Sequence, residues 1–432
     1  MNKHNILFIL PWLPYPLKTG GHQAIFNGID VIKDMFNIHI TYEVMDNEEY
    51  REAEKLFLEK LPNVKILPLK HKVPEPLQPK IALRTIVKNR IKKILHIKNE
   101  TVGVTPVVSR TKDIVTDTAN SWKYNILPPS KEWSNHIYYL CKAIHFDIIQ
   151  VEMPRMLSNI FVLPQGVKKV FVHHELGFVR REQEYNGGIN SPFAMACKAF
   201  ADLNEINQLN LYDAIITLSD IDKKKLCTNG VHKPIYSSFA IVNTANVIYC
   251  PNKHKPIKKL TFIGSGGHEP NRYGLTWFLD KCWPLLKEKD SEYTLDIIGN
   301  WNEEQKNNYI GFYDDINFLG FIDNISDVIN KSVMIVPITV GSGIRMKILE
   351  AVNNDVAFVS TSIGAEGLPF DNGRDCFIAD KPLEFVNGIL KLQDTETYYK
   401  MTENARKKIK DRYSMESLMN NRLEIYSKIC IQ

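Results

Sequence analysis

The chain alternates short apolar runs with longer stretches in which apolar residues recur at helical spacing. Continuous runs such as Val333-Met334-Ile335-Val336 are typical of strands buried on both faces, as in parallel sheets covered by helices. Such runs fall in two sets, which predict strands at about 5–11, 37–44, 64–69, 146–152, 168–174 and 213–219, and at about 259–264, 293–299, 316–321, 332–338, 355–361 and 375–379. Strand–helix alternation in two sets favours two α/β domains over one barrel.

The break between the two sets is expected within 225–256, where turn-forming pairs such as Asn229-Gly230 occur without helical periodicity. We therefore predict a first domain over 1–228 and a second domain over 229–412. The basic, proline-containing stretch 71–135 is interpreted as an insertion in the first domain. The last segment, 413–432, carries apolar residues at helical spacing and is predicted to be an amphipathic helix.

Size and composition limit the classes of function that the protein can have. A chain of 432 residues with 44% hydrophobic content is long enough for two ordinary cores. The net charge of +5 is too small to indicate nucleic acid, so no nucleic-acid partner is expected. Seven cysteines without a Cys-x-x-Cys pair suit reduced thiols better than disulfides or zinc. No apolar run approaches the roughly 20 residues of a transmembrane helix, and a cytoplasmic protein is expected.

The strongest chemical signal follows the predicted strand at 332–338. The turn Gly341-Ser342-Gly343 opens a helical pattern over 344–352, and free N–H groups at a helix start favour a phosphate. Arg345 and Lys347 add positive charge beside that turn. Glu350 lies about two turns along, where a carboxylate can accept both hydroxyls of a ribose. The same spacing also fits a solvated helix face, and the residues alone leave both interpretations open.

Several segments resemble glycosyltransferase family 4. Residues 341–351 (GSGIRMKILEA) and 359–368 (VSTSIGAEGL) are similar to the donor-binding stretch of that family. The segments 262–265 (FIGS), 295–299 (LDIIG) and 318–321 (FLGF) resemble its preceding strands, and 212–219 (YDAIITLS) resembles its last strand before the cleft. The likeness covers most of 205–430 and is thinner over 1–200.

This resemblance implies a GT-B fold, in which two Rossmann-like domains face a cleft and a C-terminal helix crosses back to the first domain. It further implies a retaining transfer of a hexose-type unit from a UDP- or GDP-sugar to a hydroxyl acceptor. No metal and no other cofactor are expected. The acceptor is a saccharide, a lipid-linked saccharide or a peptide, and the expected setting is bacterial surface-glycan or glycoconjugate synthesis.

The sequence departs from the family pattern at one motif. Glu350 matches the second, ribose-binding glutamate of the Glu-x7-Glu motif, but Ser342 stands where the first glutamate belongs. The basic residues that many members carry after the first strand of the second domain are also missing, since 265–271 read SGGHEPN. We infer a sub-branch with Gly-x-Gly-x-Arg-x-Lys, in which Arg345 and Lys347 neutralise the diphosphate. The expected donor-binding residues are Gly264, Ser265, Ile322, Gly341, Ser342, Gly343 and Glu350.

The first domain supplies further candidates. Gly20 and Gly21 are expected in a cleft loop before a helix from about His22, where glycine lets backbone approach a ligand; a plain strand-to-helix turn is the alternative. His174 follows the predicted strand at 168–174, and the resemblance implies that it orients acceptor or donor sugar, with Arg345 and Lys347 as the other catalytic candidates. The alternative for this histidine is a purely structural hydrogen bond. Asp220-Ile221-Asp222 has the form of a metal motif, but it stands at a helix start, which favours capping.

Two further interpretations remain open from the sequence. Ser342 motivates the hypothesis of a catalytically silent, nucleotide-sugar-binding partner subunit, and a sugar-nucleotide epimerase or phosphorylase of the same fold is a weaker rival. Residues 80–98 contain seven basic side chains and no acid, with apolar residues at helical spacing. Such a helix can lie on an anionic membrane at the inner face of the plasma membrane, or pack its apolar stripe on the sheet as an ordinary helix.

Overall fold

The computed structural model describes residues 3–72, 119, 121–122, 127–242 and 256–431. Its strands in chain order are β1 (Asn5–Ile9), β2 (Asn37–Thr41), β3 (Glu43–Asp46), β4 (Lys65–Ile66), β5 (Leu69–Lys72), β6 (Ile148–Glu152), β7 (Lys168–His173), β8 (Ala214–Thr217), β9 (Ile235–Ser237), β10 (Lys259–Ile263), β11 (Thr294–Ile298), β12 (Ile316–Gly320), β13 (Val333–Val336), β14 (Phe358–Ser360) and β15 (Phe377–Ile378). Each of the strands predicted from apolar runs is present, which confirms that interpretation.

Helices follow most of these strands. In chain order they are α1 (Gly20–Asp30), α2 (Glu48–Lys60), α3 (Lys131–Ala143), α4 (Gly177–Asn186), α5 (Pro192–Leu209), α6 (Asp220–Thr228), α7 (Glu269–Trp277), α8 (Trp283–Lys289), α9 (Glu303–Lys306), α10 (Ser326–Ile329), α11 (Met346–Asn353), α12 (Ser362–Ala365), α13 (Pro382–Lys391), α14 (Thr395–Ile409) and α15 (Met415–Ile431). A 3-10 helix covers Pro154–Val162, and a π-helical turn, Phe278–Cys282, joins α7 to α8.

The strands form two large sheets in which neighbouring strands are parallel. The first sheet has the order β4-β2-β1-β6-β7-β8-β9, and the second has the order β12-β11-β10-β13-β14-β15. In both sheets the direction of winding reverses beside the first strand of the set, between β1 and β6 and between β10 and β13. Such a reversal leaves a crevice at the carboxyl ends of the strands, which is where ligands bind in open α/β sheets.

Burial on both faces explains why these runs become strands. All five residues of β6 and all four of β13 are buried. One buried apolar cluster includes Phe8 of β1 together with Met334 of β13 and Leu349 of α11. A continuous apolar core therefore joins the two Rossmann-like domains, and the prediction of two such domains is confirmed.

Three short strands were not predicted. β3 and β5 form a separate two-stranded sheet in which only alternate residues are partly covered, so no continuous apolar run marks them. β9 lies in the turn-rich stretch that we interpret as the domain break, yet it pairs with β8 in the first sheet. The first sheet thus extends beyond residue 228, while the domain boundaries themselves stay a prediction.

The C-terminal helix α15 returns to the first sheet. The hydroxyl of Tyr426 donates a hydrogen bond to Oε1 of Gln150 in β6 over 2.7 Å, and its ring meets that of Phe36 edge-on at 5.4 Å. Ser238 donates to Oδ1 of Asn421 over 2.6 Å. The apolar stripe of the helix is buried in this contact, so the expected crossing back to the first domain is present.

Most of the predicted insertion, including the basic stretch 80–98, lies outside the described residues. The segments beside it are strand β5, which ends at Lys72, and helix α3, which begins at Lys131. Among the helices that the structure describes, none combines the length and the apolar character needed to cross a bilayer.

Candidate active site

A cavity of about 600 Å³ lies between the carboxyl ends of the two sheets. This volume is in the range of small-molecule sites. Most of the site residues predicted from sequence line it: Gly20, Gly21, His174, Gly264, Ser265, Ile322, Ser342, Arg345, Lys347 and Glu350. The two domains thus meet where both winding orders reverse.

Gly341 and Gly343 lie beside the cavity and do not line it. Both have positive φ angles, +126° and +75°, which explains glycine at these positions. A Cβ at Gly343 would lie 2.2 Å from the carbonyl oxygen of His174, and the N–H of Gly341 donates to Oε1 of Gln183 over 2.6 Å. In this structure, the two glycines allow the first domain to close on the turn.

Ser342 also takes part in the contact between domains. Its hydroxyl accepts a hydrogen bond from the backbone N–H of Leu176 over 2.5 Å, and the side chain is buried. The residue lines the cavity as predicted, but its hydroxyl is engaged with the first domain.

Arg345 stands at the N-cap position of α11 and folds back on the glycine turn. Its Nη1 donates to the carbonyl oxygens of Ser342 and of Gly343, the latter over 2.6 Å. Its Nη2 is buried and has no hydrogen-bond partner. Burial lowers the pKa of Arg345, and the negative charge of Glu175 opposes that shift. A buried guanidinium with an unused donor suits a bound anion.

Lys347 lies in the first turn of α11 and lines the same cavity. Its Nζ donates to Oδ1 of Asn271 over 2.9 Å and lies 4.5 Å from the ring centre of Phe262. Burial, and after it the charge of Arg345, lowers the pKa of Lys347 to about 7, although Glu350 opposes the shift. Burial thus disfavours the charged form of Lys347, which an incoming anion would stabilise.

Glu350 lies one helical turn beyond Lys347 and is also partly covered. Its Oε1 accepts a hydrogen bond from Nε2 of Gln23 over 2.7 Å. Burial raises the pKa of Glu350, while the hydrogen bond from Gln23 and the charge of Lys347 lower it. Because Arg345, Lys347 and Glu350 are half-buried side chains of one cavity, the solvated-helix-face interpretation is wrong.

The loop after β10 is held by hydrogen bonds to two of its backbone carbonyl oxygens. Trp301 donates its indole N–H to the carbonyl oxygen of Gly264 over 2.8 Å, and Nδ2 of Asn271 donates to that of Ser265 over 3.0 Å. Asn271 therefore joins the loop to Lys347, since its other amide atom accepts from that lysine.

The two adjacent histidines at the end of β7 differ in their surroundings. His174 lines the cavity, and its Nε2 lies 2.6 Å from Oε2 of Glu152 at the end of β6. His173 is buried away from the cavity with its Nε2 3.0 Å from Oε1 of Glu205. Of the two, His174 is the histidine that a ligand in the cavity would meet, as the sequence interpretation requires.

Gly20 and Gly21 are not in a loop, which corrects the prediction. The hydroxyl of Thr19 accepts from the N–H of His22 and caps the helix, so α1 begins at Gly20. Threonine is a favoured N-cap residue, and its capping outweighs the low helix propensity of the two glycines. Both still line the cavity, from the first turn of a helix.

The cavity residues that the sequence interpretation missed include Trp12, Gln23, Glu175 and His268. Glu175 lies 3.8 Å from His268 of the second domain. Burial alone would raise the pKa of Glu175, but His268, Arg180 and Arg345 bring it to about 2. The adjacency of Glu175 to His174 was an available signal, whereas the positions of Gln23 and Trp12 depend on tertiary packing.

The apparent metal motif serves a helix start, as predicted. Ser219 is the N-cap of α6 and accepts from the N–H of Asp222 over 3.0 Å, while Asp220 is 3.5 Å from Arg412. Within the described ranges, no three His, Cys, Asp or Glu side chains are grouped so that they would hold a metal ion.

Comparison with known proteins agrees with this geometry. Residues 257–395 match the family model described as Glycosyl transferases group 1. An uncharacterized protein of the cps region of Klebsiella pneumoniae is 30% identical over 138 residues, which are 30% of this chain and 35% of that protein. The chain thus spans about a third of that relative.

Two solved structures share the fold over nearly the whole chain. An S. aureus TarM mutant in complex with fondaparinux, alpha-GlcNAc-glycerol and UDP is 11% identical with a TM-score of 0.66, covering 98% of this chain and 100% of that one. Anabaena HepE in complex with UDP and glucose is 11% identical with a TM-score of 0.60, with the same coverage. The chain has the GT-B fold, and residues 257–395 of its second domain are similar to the Glycosyl transferases group 1 family.

Proposed function

We propose that this chain transfers a hexose-type unit from a UDP- or GDP-sugar to a hydroxyl acceptor, with retention of anomeric configuration and without a metal ion. The observation that carries the proposal is the convergence of Arg345, Lys347 and Glu350 on one cavity between the two sheets. TarM and HepE, which share the fold, bind UDP in their crystal structures. Membership of glycosyltransferase family 4 is part of the same proposal.

The proposed roles follow from the chemistry of each side chain. Glu350 accepts hydrogen bonds from the ribose hydroxyls, because a carboxylate offers two acceptor oxygens to a vicinal diol. The unused Nη2 of Arg345 and the ammonium of Lys347 stabilise the departing diphosphate. Gly264, Ser265 and Ile322 line the same cavity, and their proposed role is to contact the nucleotide.

The proposed reaction takes a front-face path. The bond between the anomeric carbon and the diphosphate oxygen breaks, and the acceptor oxygen bonds to the same face of that carbon. The acceptor proton passes to the departing diphosphate oxygen, which balances the step. Ser342 stands at the position of the first motif glutamate, and the proposed step requires no carboxylate there. His174, held by Glu152, orients the sugar or the acceptor.

Donor turnover by the purified chain tests the proposal. Release of UDP or GDP from a panel of nucleotide sugars is measured, and the anomeric configuration of any product is read by NMR. Retention supports the proposal, and inversion overturns the front-face path. Nucleotide binding without turnover on any acceptor would favour the silent partner subunit, for which the engagement of the Ser342 hydroxyl by Leu176 is the specific observation.

The acceptor proposed here is a saccharide, with lipid-linked saccharides and peptides as further classes to test. The cps-region relative supports a role in bacterial surface-glycan synthesis. Phosphate-linked lipid, free oligosaccharide and serine-containing peptide are compared as acceptors with one donor. Product formation on the peptide alone would replace the surface-glycan proposal by glycoprotein synthesis.

We also propose peripheral association with an anionic membrane on the cytoplasmic side through 80–98, whose basic amphipathic sequence is its basis. On the described surface, Phe193, Phe200 and Leu203 of α5 are 46%, 57% and 61% exposed, which supports contact with an apolar phase. Sedimentation with anionic but not neutral vesicles, weakened by salt and by replacing Lys92 and Lys93 with Gln, is expected. Equal recovery in both supernatants would overturn it.

A further inference from the structure

Gln23 in α1 of the first domain contacts the carboxylate of Glu350 in α11 of the second. Its Nε2 lies 2.7 Å from Oε1 of Glu350. An ionised carboxylate only accepts hydrogen bonds, so the amide nitrogen of Gln23 faces Glu350 and the amide oxygen points away. That oxygen is buried without a hydrogen-bond partner, and both side chains line the cavity. An unused buried acceptor beside a candidate ligand site calls for a donor from the ligand.

Close packing of two helix starts produces this contact. Gly20 and Gln23 lie three residues apart on α1, and Met346 and Glu350 lie four apart on α11, so each pair shares one helix face. A Cβ at Gly20 would lie 2.8 Å from Cγ of Met346. Glycine at this position therefore lets the helices approach, and one turn further along the approach brings Gln23 to Glu350.

We propose that Gln23 is a positioning residue of the donor site, which holds Glu350 and shares with it the binding of the ribose hydroxyls. This inference rests on the proposed function. The hydrogen bond from Gln23 fixes one oxygen of Glu350. The other oxygen of Glu350 and Oε1 of Gln23 remain as acceptors, which match the two O–H donors of a vicinal diol. The ribose site is then completed only when both domains are together.

The charge state of Glu350 agrees with this role. Burial raises the pKa of Glu350, and the hydrogen bond from Gln23 is the larger of the two effects that lower it, with the charge of Lys347 second. Gln23 thus favours the ionised, acceptor-only form of the carboxylate, which is the form that binds two hydroxyls.

Nucleotides that lack one ribose hydroxyl test the proposal directly. Whichever of UDP and GDP binds the wild-type chain is titrated by calorimetry together with its 2′-deoxy counterpart. Loss of a hydrogen bond to a charged group corresponds to about tenfold or more in affinity, so the wild type prefers the ribonucleotide by about that factor. Gln23→Leu is expected to lower the affinity for the ribonucleotide about tenfold and the affinity for the 2′-deoxynucleotide much less. The preference for the ribonucleotide should therefore shrink.

A second variant and a matched control separate this role from a structural one. Gln23→Asn keeps the amide but shortens the side chain by one methylene, and it is expected to lose the preference as well. Gln183→Leu removes another glutamine from the contact between the domains, where it accepts from the N–H of Gly341. This control is expected to lower the affinities for both nucleotides equally, so that the ratio of the two affinities stays unchanged.

The outcomes distinguish this inference from the proposed function. If the wild-type chain binds neither UDP nor GDP, the proposed function fails. If it binds the ribonucleotide preferentially, loses the preference in Glu350→Gln and keeps it in both Gln23 variants, the role of Gln23 alone is overturned. If Gln23→Leu lowered the affinity for both nucleotides equally, as in the Gln183→Leu control, Gln23 would contribute only to the contact between the domains.

Discussion

The backbone N–H of Leu176 donates a hydrogen bond to the hydroxyl of Ser342 across the contact between the two domains, over 2.5 Å. Ser342 occupies the place of a motif glutamate in the resembling family, and this contact gives the serine a structural task. The carbonyl oxygen of His174 lies directly above the neighbouring Gly343. A longer side chain at position 342 would meet the first domain before it met a donor.

Ser342→Ala is therefore expected to destabilise the chain. The buried N–H of Leu176 would lose its partner, which costs about 1–3 kcal/mol, and the unfolding temperature should fall. Ser342→Glu is expected to lower both stability and donor affinity, because the position is buried. Thermal unfolding and nucleotide titration measure these effects, with the exposed Ser427→Ala as control. A gain in turnover for Ser342→Glu would contradict the structural role.

The donor site makes a second prediction. Glu350→Gln and Arg345→Ala are each expected to weaken nucleotide-sugar binding by about 1.5–3 kcal/mol, the usual loss for a hydrogen bond to a charged group. Arg345→Lys retains charge but not the planar fork, and it should recover only part of the loss. Calorimetry and initial rates are the measurements. The exposed Arg412→Ala serves as control and should bind donor normally; wild-type affinity in the site variants would refute the assignment.

The sequence indicated the parts of the fold that depend on local pattern. Runs such as 333–336 are apolar throughout because both faces are covered, and that burial is visible in the residues themselves. The glycine turn with Arg345, Lys347 and Glu350 was identifiable because a strand, a turn and a helix start follow one another in the chain. Thr19, a favoured N-cap residue, was the overlooked signal for the helix start at Gly20.

Contacts between the domains could not be predicted from the local pattern of the sequence. Gln23 meets Glu350 across 327 positions of the chain, and Glu175 meets His268 only because the domains close. No periodicity or spacing encodes which side chains face each other across a cleft. The engagement of Ser342 by Leu176 was hidden for the same reason, although the substitution of the motif glutamate was evident.

The pH dependence of nucleotide binding gives a third prediction. Burial and then Arg345 lower the pKa of Lys347 to about 7 in the free protein. A diphosphate beside the ammonium raises that pKa, because an opposite charge favours the charged form. Affinity is thus fully present below pH 7 and declines as pH rises above 7 toward the pKa of the complex. The second ionisation of the phosphate, near pH 6, lies below this window.

Proton uptake measures this linkage. Titrations above pH 7 in buffers of different ionisation enthalpy should show protons taken up on binding. Lys347→Met should bind more weakly, take up no proton and show a flat profile over the same range. Lys428→Met, on the surface of the C-terminal helix, should behave as wild type. Release of protons by the wild type would show that the assumed direction is wrong.

Metal independence is the fourth prediction. In the proposed mechanism, Arg345, Lys347 and the N–H groups at the start of α11 supply the positive potential that a divalent ion provides in metal-dependent glycosyltransferases. Transfer is therefore expected to continue in excess EDTA at an unchanged rate. Loss of activity with chelator and recovery with manganese would contradict this mechanism. Asp220→Asn and Asp222→Asn would then be tested, although both residues stand at the start of α6.

The wall of the cavity at Trp12, where we expect the acceptor to bind, leads to the last prediction. Trp12 lines the cavity from the loop after β1, its ring stacks with that of His22 at 5.2 Å, and its indole N–H is buried without a partner. Burial, and then Lys18, lowers the pKa of His22 to about 4, so this histidine is neutral near pH 7 and adds no charge. We expect the indole N–H to donate to an oxygen of the acceptor.

Two tryptophan-to-phenylalanine variants compare the two sides of the cleft. Trp12→Phe keeps an aromatic ring but removes the donor, and it should raise the KM for the acceptor several-fold, since a neutral hydrogen bond contributes about 0.5–1.5 kcal/mol. Donor affinity should stay unchanged. Trp301→Phe removes the N–H that holds the carbonyl of Gly264. It should therefore lower the affinity for the donor and leave the KM for the acceptor unchanged. If Trp12→Phe lowered the affinity for the donor instead, this wall of the cavity would bind the nucleotide sugar. The acceptor would then have to bind at another wall of the cavity.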